Sequence, residues 1–201
     1  MEFQDVVRRR RMVRNFESRP VPPDIVDRIL ANALHAPSAG FTQGWAFLVL
    51  EGREHTERFW NTTWEIGQAR AAFRYQGLFN APLIVVALSN EDAYLDRYAE
   101  PDKGWTDRDP GRWPVPYWHV DTGFAALLML LTAVDAGLGG LFFSVAEPER
   151  VRAAFGIPDG FAPVGALAIG YAAADLPSPS IRRGRRAIEE VVHRGNWGQQ
   201  G

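Results

Sequence analysis

Between Val120 and Ala136 the sequence is apolar nearly all round, with Phe124, Ala125, Ala126, Leu127, Leu128, Met129, Leu130 and Leu131 in unbroken succession. The stretch reads as a helix, and a helix without a polar face must be buried on every side. In a chain of 201 residues that means the domain centre or a subunit interface. The apolar run Phe124 to Val134 falls well short of the roughly 20 residues that span a bilayer, so no membrane is expected. Gly137-Leu138-Gly139-Gly140 caps the helix.

Other segments arrange themselves around it. Short apolar runs bounded by glycine or proline, Trp45–Leu50 and Leu83–Leu88, predict buried strands, with Pro82 at a strand start where a missing donor is tolerable. Leu141–Val145 and Val164–Ala172 predict two more. Pro23-Asp24 opens a helix whose buried stripe is Ile25, Val26, Ile29, Leu30, Ala33 and Leu34. Arg53 to about Gln76 is mostly helical, and Glu147–Phe155 is a short helix. Strands and helices alternate without strict βαβ regularity, which predicts an α+β fold with a central mixed sheet, and residues 1–201 read as one domain. Glu91–Trp118 stands out as an irregular, aromatic-rich insert. Loops of that length usually have a purpose. Its rings either cover a flat ligand or form a satellite core.

Charge is concentrated rather than abundant. Net charge is −2, yet Arg8 to Arg11 form an unbroken basic run followed by Arg14, and Arg182, Arg183, Arg185 and Arg186 form a second near the far end. Phe3, Val6, Val7 and Arg10 recur at helical spacing, which puts Arg10 on an apolar face, where a cation needs a fixed anionic partner. Two basic clusters in a nearly neutral chain point to one small anion gathered from both ends. A general nucleic-acid binder would be basic overall, so nucleic acid is not expected.

Several chemistries are excluded. With no cysteine there are no disulfides, thiolate metal sites or thiol nucleophiles. The start MEFQDVV has acidic residues and no apolar h-region, so the default expectation is cytoplasmic. There is no G-x-G-x-x-G, P-loop, G-x-S-x-G or H-E-x-x-H, and the four histidines are scattered. His119 and Asp121 lie close, but such a pair more often caps or decorates a surface. Nothing nominates a protein-borne nucleophile or a metal, so a bound cofactor is expected to carry any chemistry.

Three stretches resemble the flavin-dependent nitroreductase family. Arg10-Arg11-Met12-Val13-Arg14-Asn15-Phe16 resembles its opening pattern R-R-S-x-R-x-F. Ala36-Pro37-Ser38-Ala39-Gly40-Phe41-Thr42-Gln43-Gly44-Trp45-Ala46-Phe47 resembles A-P-S-x-x-N-x-Q-P-W-x-F. Arg183-Gly184-Arg185, followed by Ile188-Glu189-Glu190-Val191-Val192-His193, resembles the closing K-x-R and L-E-E-V-V. Their order covers nearly the whole chain.

The resemblance implies a mostly antiparallel sheet, a homodimer with the long helix at its interface, an FMN cofactor and NAD(P)H as reductant. It implies ping-pong transfer of hydride through flavin N5 to an electron-poor acceptor such as a nitroaromatic or a quinone, with no catalytic side chain. Arg10, Arg11, Arg14, Arg183 and Arg185 would grip phosphate and ribityl, since the guanidinium fork suits phosphate oxygens. Met12, Pro37, Ser38, Ala39, Gly40, Gln43, Gly139 and Gly140 would line the cofactor, and Phe41, Trp105, Trp113 and Tyr117 the substrate. Three positions depart from the pattern: Met12 stands for serine, Phe41 for asparagine and Gly44 for proline. Specialised members (flavin-fragmenting, dehalogenating or deazaflavin-linked) and a non-catalytic flavin binder are the alternatives.

Overall fold

The computed structural model describes residues 1–64, 68–174 and 176–198. At its centre is a four-stranded sheet of order β1-β2-β4-β3, made by β1 (Trp45–Glu51), β2 (Leu83–Ser89), β3 (Gly139–Phe143) and β4 (Ala162–Gly170). In chain order the helices are α1 (Phe3–Arg9), α2 (Pro23–Ala33), α3 (Gly52–Thr63), α4 (Gln68–Ala71), α5 (Glu91–Ala99), α6 (Tyr117–Asp135), α7 (Pro148–Phe155) and α8 (Ile188–Val191). All three strand pairings are antiparallel. The parallel component of the expected mixed sheet is confined to a bridge between Met12 and Gly140.

β2 is buried along its whole length, and side-chain alternation divides it between two cores. Ile84, Val86 and Leu88 face a core with Phe59 and Trp60 of α3 and Val151 of α7. Leu83, Val85 and Ala87 face the other, with Val26, Ile29 and Ala33 of α2 and Ala125, Met129 and Ala133 of α6. The α2 stripe is narrower than its pattern suggested. Ile25 and Leu30 are half-buried, and Leu34 lies exposed just past the helix end. β1 is an edge strand, covered less than its run of apolar residues implied, and only Leu50 is fully buried.

Three further expectations change. The segment from Arg53 to Gln76 is not one helix: α3 stops at Thr63, α4 is a single turn, and the part of that prediction covering residues 65–67 lies outside the described residues. The insert is less irregular than it reads, because α5 fills its first third, opened by the Asn90 side chain accepting the Ala93 N–H at 2.9 Å. α6 is not buried on every side of this chain. Ala125, Ala126, Met129, Leu130 and Ala133 face inward, whereas Val120, Phe124 and Leu127 are exposed. At 19 residues α6 is also long and apolar enough to cross a membrane, unlike the shorter run read from sequence, and much of it is buried inside the fold.

Candidate functional site

The arginine run is organised by the sheet edge. α1 ends at Arg9 and Arg10 caps it in extended geometry, so Arg10 does not lie on an apolar helical face. Of the predicted stripe only Val6 is buried, with Phe3 and Val7 exposed. At Met12 and Val13 the chain runs beside β3, and from Asn15 to Glu17 it runs beside the residues that follow β4. The Val13 N–H donates to the Gly140 carbonyl at 3.0 Å, and the Glu17 N–H to that of Tyr171 at 2.9 Å. Gly139 is needed for this approach, since a Cβ there would sit 2.7 Å from Val13 Cγ2. The outcome is a cleft of about 210 Å³ lined by Arg9, Arg11, Val13, Val134, Leu138 and Gly139. The Met12 side chain, standing for serine, packs against both cores, and Met12 does not line this cleft.

Arg14 extends the basic ground away from the cleft. Its guanidinium lies 5.5 Å from the centre of the Tyr75 ring, and that of Arg74 lies 5.6 Å from the same ring. Arg74 shares a 560 Å³ cavity with Leu176, Ser178, Pro179, Ile181 and Arg182, so the C-terminal basic segment comes back toward Arg14. Arg183 ends the 3₁₀ turn Pro179–Arg183, and it and Arg185 are exposed. Arg74 and Tyr75 were not singled out by sequence, being embedded in a stretch that reads as an ordinary aromatic helix.

The second part of the predicted site, Pro37–Gln43, is a loop with unusual backbone. Gly40, Phe41 and Gln43 have φ of 63°, 55° and 54°, all in the left-handed region. Polar contacts hold it. Asp121, 2% exposed, accepts the Ala39 N–H and the Tyr94 hydroxyl through one carboxylate oxygen, each at 2.8 Å. Arg97 Nε donates to the Gly40 carbonyl at 3.0 Å, and Ser38 Oγ accepts the Gln43 N–H at 3.0 Å. Burial and the Asp121 bond both push the Tyr94 hydroxyl pKa well above its ordinary value, so Tyr94 remains a donor. Gly44, standing for proline, has a physical reason: the Tyr94 ring occupies the space of a side chain, and Asn90 donates its N–H to the Gly44 carbonyl at 2.8 Å.

Rings of the insert gather behind this loop. Trp113 lies 4.5 Å from Tyr98, 5.6 Å from Trp105 and 5.6 Å from Tyr117, centre to centre. Trp105 and Trp113 are half-buried and Tyr117 is exposed, and these rings pack on one another. Phe41, by contrast, is 78% exposed. His119 and Asp121 do not pair. His119 Nδ1 lies 2.9 Å from Ser89 Oγ, and partial desolvation lowers its pKa, while Asp121 turns to the loop. Arg97 was missed by sequence reasoning, and Asp121, set aside there with His119 as a cap or surface pair, is instead buried and holds the loop; a carboxylate inside a largely apolar helix was the available signal.

A model of the nitroreductase family matches residues 7–171. The chain belongs to the nitroreductase family. Relatives include a protein named putative NADH dehydrogenase/NAD(P)H nitroreductase in Methanothermobacter thermautotrophicus, 27% identical over 86% of this chain and 78% of its own. A 5,6-dimethylbenzimidazole synthase of Rhodospirillum rubrum is 30% identical over 87% of this chain and 83% of its own. Among solved structures, a putative nitroreductase of Exiguobacterium sibiricum in complex with FMN superposes with a TM-score of 0.75, at 20% identity, covering 96% and 97% of the two chains. A nitroreductase family protein of Clostridium difficile gives 0.72 at 21%, covering 98% and 99%.

Within this nitroreductase-family fold, α6 sets the distance between the two halves of the candidate site. Asp121 near its start holds the loop, and Val134 near its end lines the arginine cleft. A rise of 1.5 Å per residue separates them by about 20 Å.

Proposed function

We propose that this chain is an FMN-dependent oxidoreductase that takes electrons from NAD(P)H and passes them to an electron-poor aromatic or quinone-like acceptor. The observation that carries it is the Met12–Gly140 bridge, which locks the arginine run against the β3 edge within a nitroreductase-family fold. The donor set suits the cofactor: Arg9 and Arg11 line the cleft beside β3, guanidinium forks suit phosphate oxygens, and an exposed ring stands on the loop where a flat group needs an apolar wall. Bound there, FMN would supply hydride transfer between the nicotinamide and the acceptor.

The chain's own residues have simpler tasks. Arg11 and Arg14, with Arg74 and the returning segment of Arg182, Arg183 and Arg185, would neutralise and orient the phosphate. The latched Pro37–Gln43 loop would keep a fixed wall over the reacting face and exclude water from it. Two copies are proposed to pair through the exposed stripe Val120, Phe124 and Leu127 with Phe3 and Val7 of α1, bringing one protomer's loop toward the other's arginines. That pairing addresses the roughly 20 Å that α6 imposes between the two halves within one chain.

The test is a visible spectrum of the freshly purified protein, followed by heat release and identification of the chromophore. A yellow protein that releases FMN and is bleached by NAD(P)H without oxygen is the expected result. A colourless protein that cannot be reconstituted with FMN rejects the proposal. Similarity to the Rhodospirillum synthase favours a second function, fragmentation of the flavin itself. Formation of 5,6-dimethylbenzimidazole from reduced FMN under air would favour it over acceptor reduction.

A further inference from the structure

Phe41 combines two features that stability alone does not explain. It is 78% exposed, and its φ of 55° lies where a bulky aromatic residue is rarely found. Such a conformation persists only where the surroundings over-determine it, and it clusters at functional sites. The surroundings here do so from both sides. Asp121 fixes the Ala39 N–H before the ring, Arg97 holds the Gly40 carbonyl, and Ser38 Oγ takes the Gln43 N–H after it.

The anchors are themselves fixed. Asp121 is buried and bound by the Tyr94 hydroxyl, and Arg97 forks onto Asp102 at 2.7 and 2.8 Å. A Cβ on Gly40 would lie 2.8 Å from Tyr98 Cε2, so the loop is pressed against the ring cluster of the insert. The insert therefore acts on the site indirectly, by backing the loop that carries Phe41.

We propose that Phe41 is a specificity-determining residue, a preset ring against which a flat, extended aromatic acceptor packs, and that Asp121 and Arg97 are positioning residues that hold it there. The inference rests on the flavin-dependent function above and narrows its substrate class to multi-ring or aryl acceptors over small polar ones. A ring carried on a backbone already fixed in place contributes stacking at a lower ordering cost on association.

The experiment uses FMN-loaded protein and a flat aromatic that is not reduced, naphthalene-2-carboxylate, with its Kd measured by isothermal titration calorimetry. Heat-released FMN is measured first on each preparation. A chain that takes up no FMN removes the flavin function, and this inference with it. With FMN bound, Phe41→Asn is expected to weaken the ligand about fivefold to tenfold, the range for loss of one aromatic contact, while Phe41→Tyr keeps wild-type affinity. Arg97→Ala leaves the ring in place but unlatched and is expected to weaken binding by a smaller factor. Equal Kd in wild type and Phe41→Asn overturns the specificity role while leaving the flavin function standing. An Arg97→Ala protein with a lower melting temperature and an unchanged Kd overturns the positioning role.

Discussion

Single side chains in this protein differ most in what their removal would leave behind, and Asp121 is the clearest case. One of its carboxylate oxygens serves both the Ala39 N–H and the Tyr94 hydroxyl in a site with almost no solvent access. Asp121→Ala would strand both donors, a cost of about 2–3 kcal/mol for buried unsatisfied groups. Asp121→Asn keeps an acceptor oxygen and is expected to lose about 1 kcal/mol or less. Urea denaturation of the two variants beside the parent checks this, and a loss below about 1 kcal/mol in Asp121→Ala would mean that the carboxylate does not hold the loop. Phe41, eighty positions away in the sequence, depends on the same contact, which makes its fivefold-to-tenfold effect on aromatic binding a residue-scale prediction as well.

Among the elements, α6 does the most. Its inward stripe completes one core, Asp121 anchors the loop, and its first turn carries His119 beside Ser89 of β2. Partial desolvation of His119, a residue still exposed, lowers its pKa, with Glu91 opposing the shift more weakly, so the folded state binds a proton somewhat less readily than the unfolded chain does. The sign follows: stability is fully present above the ordinary histidine range, near pH 6.5, and is lost as pH falls toward the lower folded value. Denaturation midpoints measured from pH 8 to pH 5 are expected to fall in the parent and to flatten below pH 6.5 in His119→Gln. Parallel slopes in both proteins would locate the acid sensitivity elsewhere.

At the scale of the whole molecule, the outward stripe of α6 is the open question of packing. Val120, Phe124 and Leu127 are exposed beside an α1 that also exposes Phe3 and Val7. Paired chains would sediment at twice the 22.5 kDa chain mass. Placing a carboxylate in that contact, as in Leu127→Asp, is expected to shift the protein toward the single-chain mass, since an unpaired buried charge is costly. Analytical ultracentrifugation of parent and variant decides it, and a parent that sediments as one chain at micromolar concentration removes the pairing. In the same experiment, FMN loss on dissociation would show that the site needs both copies.

The elements could be read from the sequence because they rest on local rules. β2 announced itself through Leu83–Leu88, α2 through Pro23-Asp24, and the family through three ordered motifs, of which the first runs at the β3 edge, the second forms the loop and the third lies in the C-terminal segment. Other features depend on contacts across long separations. No local pattern says that β1 is an edge strand, that the Tyr98 ring packs behind Gly40, or that Arg74 meets the C-terminal segment. The apolar run of α6 predicted burial on every side, whereas within this chain one face stays exposed, because a helix surface is assigned by what packs on it. The left-handed φ of Phe41 is the extreme example. Intrinsic backbone preference opposes it, and only the tertiary contacts from Asp121 and Arg97 make it the conformation the chain adopts.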